Sequence, residues 1–219
     1  MHFLKKGNKM RDIVRKAKAG GYYEKMTLVY DLHLDWLMDY VKGLENGKMV
    51  ECGVARGGCI ALCHVANPNL QIIGLDSWEP MPEITEKDDA KACKPWVGTP
   101  TSGKIEDVKT NYKRLNASDK NLTLLKGWFE DTIPENIDMF DNLDILRIDS
   151  DFYESILLCL RLLYPKLKSG GLLIMDDWNF NPKGVQAAFN EYFEEIGEDP
   201  GKMHFHKIPT FGPVWFFKK

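Results

Sequence analysis

The sequence predicts an α/β fold with a doubly wound, seven-stranded, mostly parallel Rossmann-like sheet and an N-terminal helical cap. Three observations support this. Segments typical of strands alternate with segments of helical periodicity from residue 47 onward. An early strand runs into a glycine-rich turn and then a helix, as in nucleotide-binding sheets. The last two strand-like segments are separated by the turn 209–213, which predicts a hairpin and one antiparallel strand.

Each element follows from its residue pattern. Residues 1–45 form the predicted cap, with helical periodicity over 9–43 that is interrupted at Gly20 and Gly21. Residues 47–219 form the α/β core of the same single domain. The strands are predicted at 48–52, 70–76, 121–127, 143–149, 170–176, 202–207 and 214–217. The core helices are predicted at 59–65, 105–115 and 182–196, with a further helix that follows 152–155 and ends at 163.

The composition indicates a single soluble domain. With 219 residues, a net charge of −3 and 28% charged residues, the chain has no general attraction for nucleic acid or membrane. No apolar run approaches the ~20 residues of a membrane helix, and the basic N-terminus lacks the apolar stretch of a secretory signal. Five cysteines without a Cys-x-x-Cys pair favour a reducing, cytoplasmic location. A zinc site at Cys59, Cys63 and His64 is a minor alternative, because tetrahedral sites need four ligands.

The glycine-rich turn is the first candidate binding site. Glu51 stands near the end of the first strand, and Gly53, Gly57 and Gly58 follow, so the main chain can approach a ligand closely. Ala55 occupies the middle glycine position of the dinucleotide pattern Gly-x-Gly-x-x-Gly. Glu51 would repel a pyrophosphate, whereas it suits a cationic ligand such as the amino-acid end of S-adenosylmethionine. A turn that serves packing alone is the alternative.

Two further strand ends carry candidate ligands for a nucleoside. Asp76 ends the second strand roughly 20 residues after the turn, where a carboxylate usually accepts the ribose hydroxyls. An acid that only caps the next turn is the alternative. Trp128 follows the third strand in a predicted aromatic and acidic turn, 128–134, which could border an adenine ring. Packing of Trp128 in the core is the competing interpretation.

The fourth and fifth strands each lead into two acids, Asp149 with Asp151 and Asp176 with Asp177. Neighbouring parallel strands bring their C-terminal ends together, so we expect the four carboxylates to face one crevice. Like charges in such number repel one another unless a cation compensates them. Oxygen ligands suit Mg²⁺, so the sequence predicts a divalent-metal site. Helix capping is the alternative for each acid taken alone.

The segment 77–103 is long and irregular, and it contains Trp78 and Trp96. Loops of this length inside a compact domain are usually functional. We therefore expect a lid over the substrate, with a short helix near 87–93. Four aromatic residues of the N-terminal segment either line the substrate mouth or pack half-buried. These are Tyr22, Tyr23, Tyr30 and Trp36.

Six segments together resemble the macrocin O-methyltransferase (TylF-like) family. They are VECGVARGG (50–58), LDSWE (75–79), KGWFEDTIP (126–134), RIDSDFYES (147–155), LYPKLKSGG (163–171) and DDW (176–178). They follow one another in order over about residues 47–190. The family comprises class I methyltransferases that use S-adenosylmethionine and Mg²⁺ to methylate sugar hydroxyls. The loop 79–103 matches no family pattern, and acceptor specificity would lie there.

The resemblance implies a role for each matched position. The residues implied to contact the cofactor are Glu51, Gly53, Val54, Ala55, Arg56 and Gly57 at the methionine end, Asp76 and Ser77 at the ribose, Gly127, Trp128 and Phe129 at the adenine, and Asp149. The implied metal ligands are Asp149, Asp176 and Asp177, and the implied catalytic residues are Asp149 and Asp151. Asp151 would be a further ligand, a contact to cofactor or acceptor, or the base; Glu79 and Glu83 of the lid are the next candidates for the base.

The implied reaction is methyl transfer to one hydroxyl of a vicinal diol on a sugar or glycan, with the diol bound to the metal. The expected partner is this small-molecule or glycan acceptor, and a homo-oligomer is compatible with the sequence. Three alternatives stay open. They are a catechol-type O-methyltransferase, a nicotinamide-dependent oxidoreductase and a non-catalytic glycan-binding module.

Overall fold

The computed structural model describes residues 31–100, 102–207 and 212–219. Within these ranges the chain forms a seven-stranded sheet flanked by helices. The strands are β1 Lys48–Cys52, β2 Gln71–Asp76, β3 Leu122–Lys126, β4 Leu143–Ile148, β5 Leu167–Met175, β6 His206–Lys207 and β7 Val214–Phe217. The helices are α1 Asp31–Lys42, α2 Gly58–Ala66, α3 Ala90–Cys93, α4 Ile105–Leu115, α5 Phe129–Glu135, α6 Tyr153–Leu163 and α7 Pro182–Glu195.

The strand order is β3-β2-β1-β4-β5-β7-β6. Strands β1 to β5 are parallel, and β7 runs antiparallel to both of its neighbours, β5 and β6. The predicted fold class is therefore confirmed. The order reverses between β1 and β4, and at such a reversal the connections leave on opposite faces and open a crevice at the C-terminal ends of the strands.

Each face of the sheet carries its own apolar core, because successive side chains point to opposite faces of a strand. Leu146 of β4 packs in the core under α5, α6 and α7, together with Phe193. The preceding residue of the same strand, Ile145, packs on the other face under α1, α2 and α4, together with Leu37. Burial on both faces explains why the central strands read as almost continuous apolar runs.

Helix α1 is the described part of the predicted N-terminal cap. It packs on a face of the sheet, where Leu37, Met38 and Val41 are fully buried. The ring of Trp36 stacks on that of Trp215 in β7, with centroids 4.6 Å apart, which agrees with the packing interpretation for Trp36. The remaining part of the cap, residues 1–30 with Tyr22, Tyr23 and Tyr30, lies outside the described residues.

Three predicted elements differ in the structure. Strand β5 begins at Leu167 rather than at 170, because Leu167 pairs with Leu143 ahead of a register shift. The predicted strand 202–207 is only His206–Lys207, since Pro200–Lys202 forms a 3-10 turn that begins with proline. The predicted turn 128–134 is mostly helix α5, which starts after Trp128.

The lid segment 77–103 contains the expected short helix, which begins later than predicted, as α3, and continues into a 3-10 turn at Lys94–Trp96. Asp89 caps α3 by accepting hydrogen bonds from the N–H groups of Lys91 and Ala92. None of the described helices combines the length and apolar character that crossing a membrane requires.

Candidate active site

The turn after β1 brings the main chains of two strand ends into contact. Gly53 has a φ of +89°, and a Cβ there would lie 1.7 Å from the carbonyl oxygen of Asp149, just after β4. Only glycine fits such a position. The N–H of Gly53 also donates to the carbonyl of Leu75 at 2.8 Å, which fixes the turn to β2. The glycine therefore lets three strand ends converge on one place.

Backbone strain is concentrated at this edge of the sheet. Each of the five parallel strands is followed by a residue with positive φ. These residues are Ala55 at +47°, Trp78 at +49°, Gly127 at +146°, Asp151 at +62° and Asp177 at +54°. Four of them are not glycine, and such conformations persist only where the surrounding structure enforces them. Their clustering is typical of a functional site.

A cavity of about 410 Å³ opens at the same edge. This volume lies within the ~300–1,000 Å³ of small-molecule sites. Ten of the twelve residues implied to contact the cofactor line it. They are Glu51, Gly53, Val54, Ala55, Asp76, Ser77, Gly127, Trp128, Phe129 and Asp149. The structure therefore brings together side chains from the ends of β1, β2, β3 and β4, as the strand-end pattern predicts.

The other two residues, Arg56 and Gly57, are not on the cavity wall. The Nε of Arg56 lies 4.0 Å from Oδ2 of Asp107 in α4, and the Arg56 carbonyl accepts a hydrogen bond from Asn111 at 2.8 Å. A Cβ on Gly57 would lie 2.7 Å from Cγ1 of Val108, also in α4. Both residues therefore contact α4 and not the cavity.

Asp76 is buried and connects two loops of the cavity wall. Its Oδ2 accepts the N–H of Ala55 at 2.8 Å, and its Oδ1 accepts the N–H of Trp78 at 2.7 Å. Burial raises the pKa of this carboxyl, and the two N–H groups partly oppose the rise. Asp76 thus caps the turn, as the alternative interpretation holds. A carboxylate oxygen can accept more than one hydrogen bond, so capping and ligand binding are compatible.

Trp128 is 36% exposed and lines the cavity. The competing interpretation, packing of Trp128 in the core, is therefore wrong for this side chain. The neighbouring Phe129 does pack against the core while also lining the cavity. The difference arises because Trp128 precedes the first turn of α5, whereas Phe129 is inside it.

Arg147 is a buried residue of the site that inspection of the sequence missed. In β4 it stands beside Glu51 of β1. Its Nη1 donates to Oε1 of Glu51 and, at 2.6 Å, to Oδ2 of Asp149, while its Nη2 donates to Oδ2 of Asp176. The side chains of Arg147, Glu51 and Asp176 are 7%, 1% and 5% exposed. The sequence does contain a sign of this role, which is a single arginine within an apolar strand. A charge that is buried in this way needs an oppositely charged partner.

The guanidinium of Arg147 changes the expected charge balance at the strand ends. The acids at the strand ends are not wholly uncompensated, since Arg147 pairs with three of them. Asp151 and Asp177 bring the number of carboxylates in this group to five against one guanidinium, which leaves four negative charges in excess when all are ionised. Repulsion among them still favours a bound cation.

Asp149, Asp176 and Asp177 each place one carboxylate oxygen within 4.8 Å of the other two. Both oxygens of Asp176 already accept hydrogen bonds, Oδ2 from Arg147 and Oδ1 from the N–H of Asp177 at 2.9 Å, and Asp176 is not on the cavity wall. Oδ2 of Asp177, in contrast, is buried without a hydrogen-bond partner. Three converging carboxylates with one unpaired oxygen fit a hard divalent cation such as Mg²⁺.

Asp151 lies against this group, in the cavity wall. Burial, and then the negative charge of Asp149, raise the pKa of its carboxyl to about 7. Burial, and then the charge of Asp151, also raise the pKa of Asp177. A carboxylate with a pKa near neutrality is suited to accept a proton at physiological pH. The arrangement therefore combines a candidate cation site with a candidate base.

Residues 30–204 match the family described as macrocin-O-methyltransferase (TylF). The chain belongs to the macrocin O-methyltransferase (TylF) family. The resemblance drawn from six sequence segments is thereby confirmed.

Two curated relatives are similar over 70% of the chain. Demethyldecarbamoylnovobiocin O-methyltransferase of Streptomyces niveus is 32% identical over 162 residues. The 8-demethyl-8-(2,3-dimethoxy-alpha-L-rhamnosyl)-tetracenomycin-C 4'-O-methyltransferase of Streptomyces olivaceus is 31% identical over 163 residues. The chain spans about 61% of the length of each. The solved structure of the O-methyltransferase NovP has a TM-score of 0.77 and 25% identity, covering 95% of this chain and 97% of that chain.

In this TylF-family chain the lid does not bring its glutamates to the acids. Glu79 is half exposed and its Oε1 lies 3.4 Å from Nζ of Lys126. Neither Glu79 nor Glu83 lines the cavity. The lid contributes Met81, Pro82 and Trp96 instead. Of the three base candidates, the structure therefore places only Asp151 in the cavity.

The zinc alternative finds no support in the part of the chain that the structure describes. His64 lies with Nδ1 2.9 Å from the hydroxyl of Tyr112 and Nε2 2.8 Å from the carbonyl of Leu70, so both ring nitrogens are engaged. Among the described residues, the group with the spacing of metal ligands is the acidic one.

Proposed function

We propose that the chain is an S-adenosylmethionine-dependent, divalent-metal-assisted O-methyltransferase that acts on a hydroxyl of a sugar or glycan. One observation carries the proposal: Asp149, Asp151 and Asp177, which follow β4 and β5, line the same cavity as the glycine turn after β1. A donor site and an acceptor site are thus within one small space, as a transfer reaction requires. Membership of the TylF family supports the same reaction class.

The cofactor would lie along the ends of β1, β2 and β3. S-adenosylmethionine supplies a methyl group on a positively charged sulfur. Glu51 provides a negative charge at the turn, held in place by Arg147 through Oε1, and this suits the ammonium group of the methionine end. Asp76, with both oxygens fixed by backbone N–H groups, would accept the ribose hydroxyls. The exposed ring of Trp128 offers a face for the adenine.

Asp149, Asp176 and Asp177 would hold a divalent cation, which when bound polarises the acceptor hydroxyl as a Lewis acid. Asp151 takes the proton that the hydroxyl loses as the new bond from oxygen to methyl carbon forms and the bond from that carbon to sulfur breaks. Among the acids after β4 and β5, Asp151 lines the cavity and is not assigned to the cation, which supports it as the general base. Asp151 and Asp177 both have positive φ just after their strands, and both line the cavity in which the acceptor would bind.

A sugar hydroxyl is the acceptor that the relatives favour. The name of one relative contains a rhamnosyl group and a 4'-O-methylation. A catechol would present a similar pair of adjacent oxygens to the cation, so an acceptor panel must include both classes.

Calorimetric titration tests the donor half of the proposal. We expect S-adenosylmethionine to bind and NAD not to bind, because Glu51 and Ala55 oppose a dinucleotide. Mass spectrometry then measures methyl transfer to sugars, glycosides and catechols, with Mg²⁺ or with EDTA. We expect transfer to glycosides that EDTA abolishes. If the protein binds NAD but does not bind S-adenosylmethionine, the proposed cofactor is wrong. If EDTA leaves methyl transfer unchanged, the proposed role of the metal is wrong.

Two isosteric variants separate the roles of the acids. Asp151→Asn should lower kcat by roughly 10²–10⁴-fold, the usual contribution of a general base, while the Kd of S-adenosylmethionine stays nearly unchanged. Asp177→Asn should weaken Mg²⁺ binding in a titration without acceptor. Glu135→Gln, an exposed acid of α5 away from the cavity, is the matched control and should change neither quantity. Equal effects of Asp151→Asn and Glu135→Gln on kcat would rule out Asp151 as the base.

A further inference from the structure

A buried acid, Asp88, fixes the lid to the loops that follow β4 and β5. Asp88 is 2% exposed, and its Oδ1 accepts hydrogen bonds from the N–H of Tyr153 and from Nδ2 of Asn181, at 2.9 and 2.7 Å. The N–H of Tyr153 belongs to the first turn of α6 and has no partner within the helix. Asp88 therefore acts as a cap supplied by the lid, and this ties the lid to the loop after β4.

Asn181 completes this connection, and we call the pair the Asp88–Asn181 clasp. Its Nδ2 also donates to the carbonyl of Asp151 at 3.0 Å, and its Oδ1 accepts the N–H groups of Asp89 and Gly184 at 2.9 and 3.1 Å. All four hydrogen-bonding positions of the amide are used, and the side chain is fully buried. The clasp thus holds the lid, the Asp151 loop and the start of α7 as one unit.

Two further parts of the described lid are held by hydrogen bonds. Nε1 of Trp78 donates to the carbonyl of Ala55 at 2.8 Å, which ties the beginning of the lid to the glycine turn. Met81 pairs with the returning part of the lid through the N–H groups of Met81 and Gly98, which donate to the carbonyls of Thr99 and Met81 at 3.0 and 2.9 Å. Trp96 lies just before the paired residues Gly98 and Thr99, so these hydrogen bonds hold its backbone in place without a bound acceptor.

Trp96 and Phe180 form an aromatic pair at the rim of the cavity. The ring centroids are 6.3 Å apart at 70°, and both residues line the cavity. Trp96 is nevertheless 44% exposed, so its ring is available to a further group. The N–H of Phe180 donates to the carbonyl of Asp177 at 2.9 Å, so the pair stands next to the acids. The cavity is therefore acidic inside and aromatic at the rim.

We infer that Trp96 and Phe180 form a preformed acceptor subsite for a flat, aromatic group attached to the sugar. The inference rests on the proposed function. A hydroxyl must reach the acids for methyl transfer, so whatever the sugar carries on its other side meets the rim. An apolar, planar substituent gains most from an exposed indole ring. Because the clasp holds the lid, little ordering is required when the acceptor binds.

Calorimetry on the protein saturated with S-adenosylhomocysteine and Mg²⁺ tests this inference without turnover. The probes are matched phenyl glycosides, methyl glycosides and free forms of rhamnose, glucose, galactose and mannose. We expect at least one phenyl glycoside to bind about tenfold more tightly than its methyl counterpart. Trp96→Ala should remove this difference, and Trp96→Phe should retain most of it. Ile196→Ala, an equally exposed apolar residue outside the cavity, should retain all of it.

The following results would contradict the inference. Equal losses for phenyl and methyl glycosides in Trp96→Ala would mean that the sugar ring itself stacks on Trp96. No loss, or no binding of any glycoside to the unaltered protein, would mean that the rim does not bind acceptors of this kind. The proposed function fails separately, when phenyl glycosides bind in a Trp96-dependent way but no sugar accepts a methyl group.

Discussion

Removing the charge of Arg147 should destabilise the protein strongly. The variant Arg147→Met keeps most of the side-chain volume but leaves Glu51 and Asp176 without their cation. Both carboxylates are almost fully buried, whereas the Asp149 side chain is 31% exposed and solvent can screen it. Breaking a buried ion pair costs about 3–5 kcal/mol. For a domain with a total stability of ~5–15 kcal/mol, that is a large fraction.

The pH dependence provides a second readout of the same cause. Burial is the largest contribution that raises the pKa of Glu51, to about 7, and of Asp176, to about 6, while Arg147 lowers both. Without Arg147 these pKa values rise further in the folded state. A raised folded-state pKa contributes stability at low pH that is lost as the pH rises through it. The deficit of the variant should therefore be larger at pH 8 than at pH 5.5.

Urea unfolding followed by circular dichroism, in EDTA at both pH values, measures these quantities. Arg161→Met is the matched control, because Arg161 also pairs with two carboxylates but is 45% exposed. Exposed ion pairs contribute little, so its midpoint should stay close to that of the unaltered protein. If Arg147→Met unfolds at the same midpoint as Arg161→Met, or if its deficit does not depend on pH, the assignment of Arg147 as a buried counter-ion is wrong.

Three further predictions concern the surroundings of the site. Burial, and then Arg147, lower the pKa of His33 to about 3. Because the unfolded chain binds this proton more readily, the free energy of unfolding should fall by about 2 kcal/mol between pH 7.5 and 5.0. Urea unfolding of His33→Leu should not show this fall. Gly53→Ala, with its Cβ 1.7 Å from a carbonyl oxygen, should unfold at much lower urea than Gly98→Ala, which has a similar positive φ but open space. Asn181→Ala should destabilise the protein by roughly 1–3 kcal/mol and expose the lid to limited proteolysis; an intact lid would contradict the clasp.

The positions of the strand-end residues could be predicted from the local sequence pattern. Gly53, Asp76 and Asp149 each follow an apolar run, and parallel strands place such positions at one edge of the sheet. Their convergence was therefore predictable. The start of β5 was not, because it depends on a pairing with β4 beyond a register shift, and that is a property of two strands together.

The sequence by itself determined the doubly wound sheet, the glycine turn and the acids that meet beside it, because periodicity and strand ends are local properties. Only the tertiary structure decided which partners these residues have. Arg147 meets Glu51 across 96 positions of chain, and Asn181 meets Asp88 across 93. Such contacts depend on strand register and on how the lid folds back. The same packing turned Arg56 away from the cavity and left Trp96 exposed at its rim.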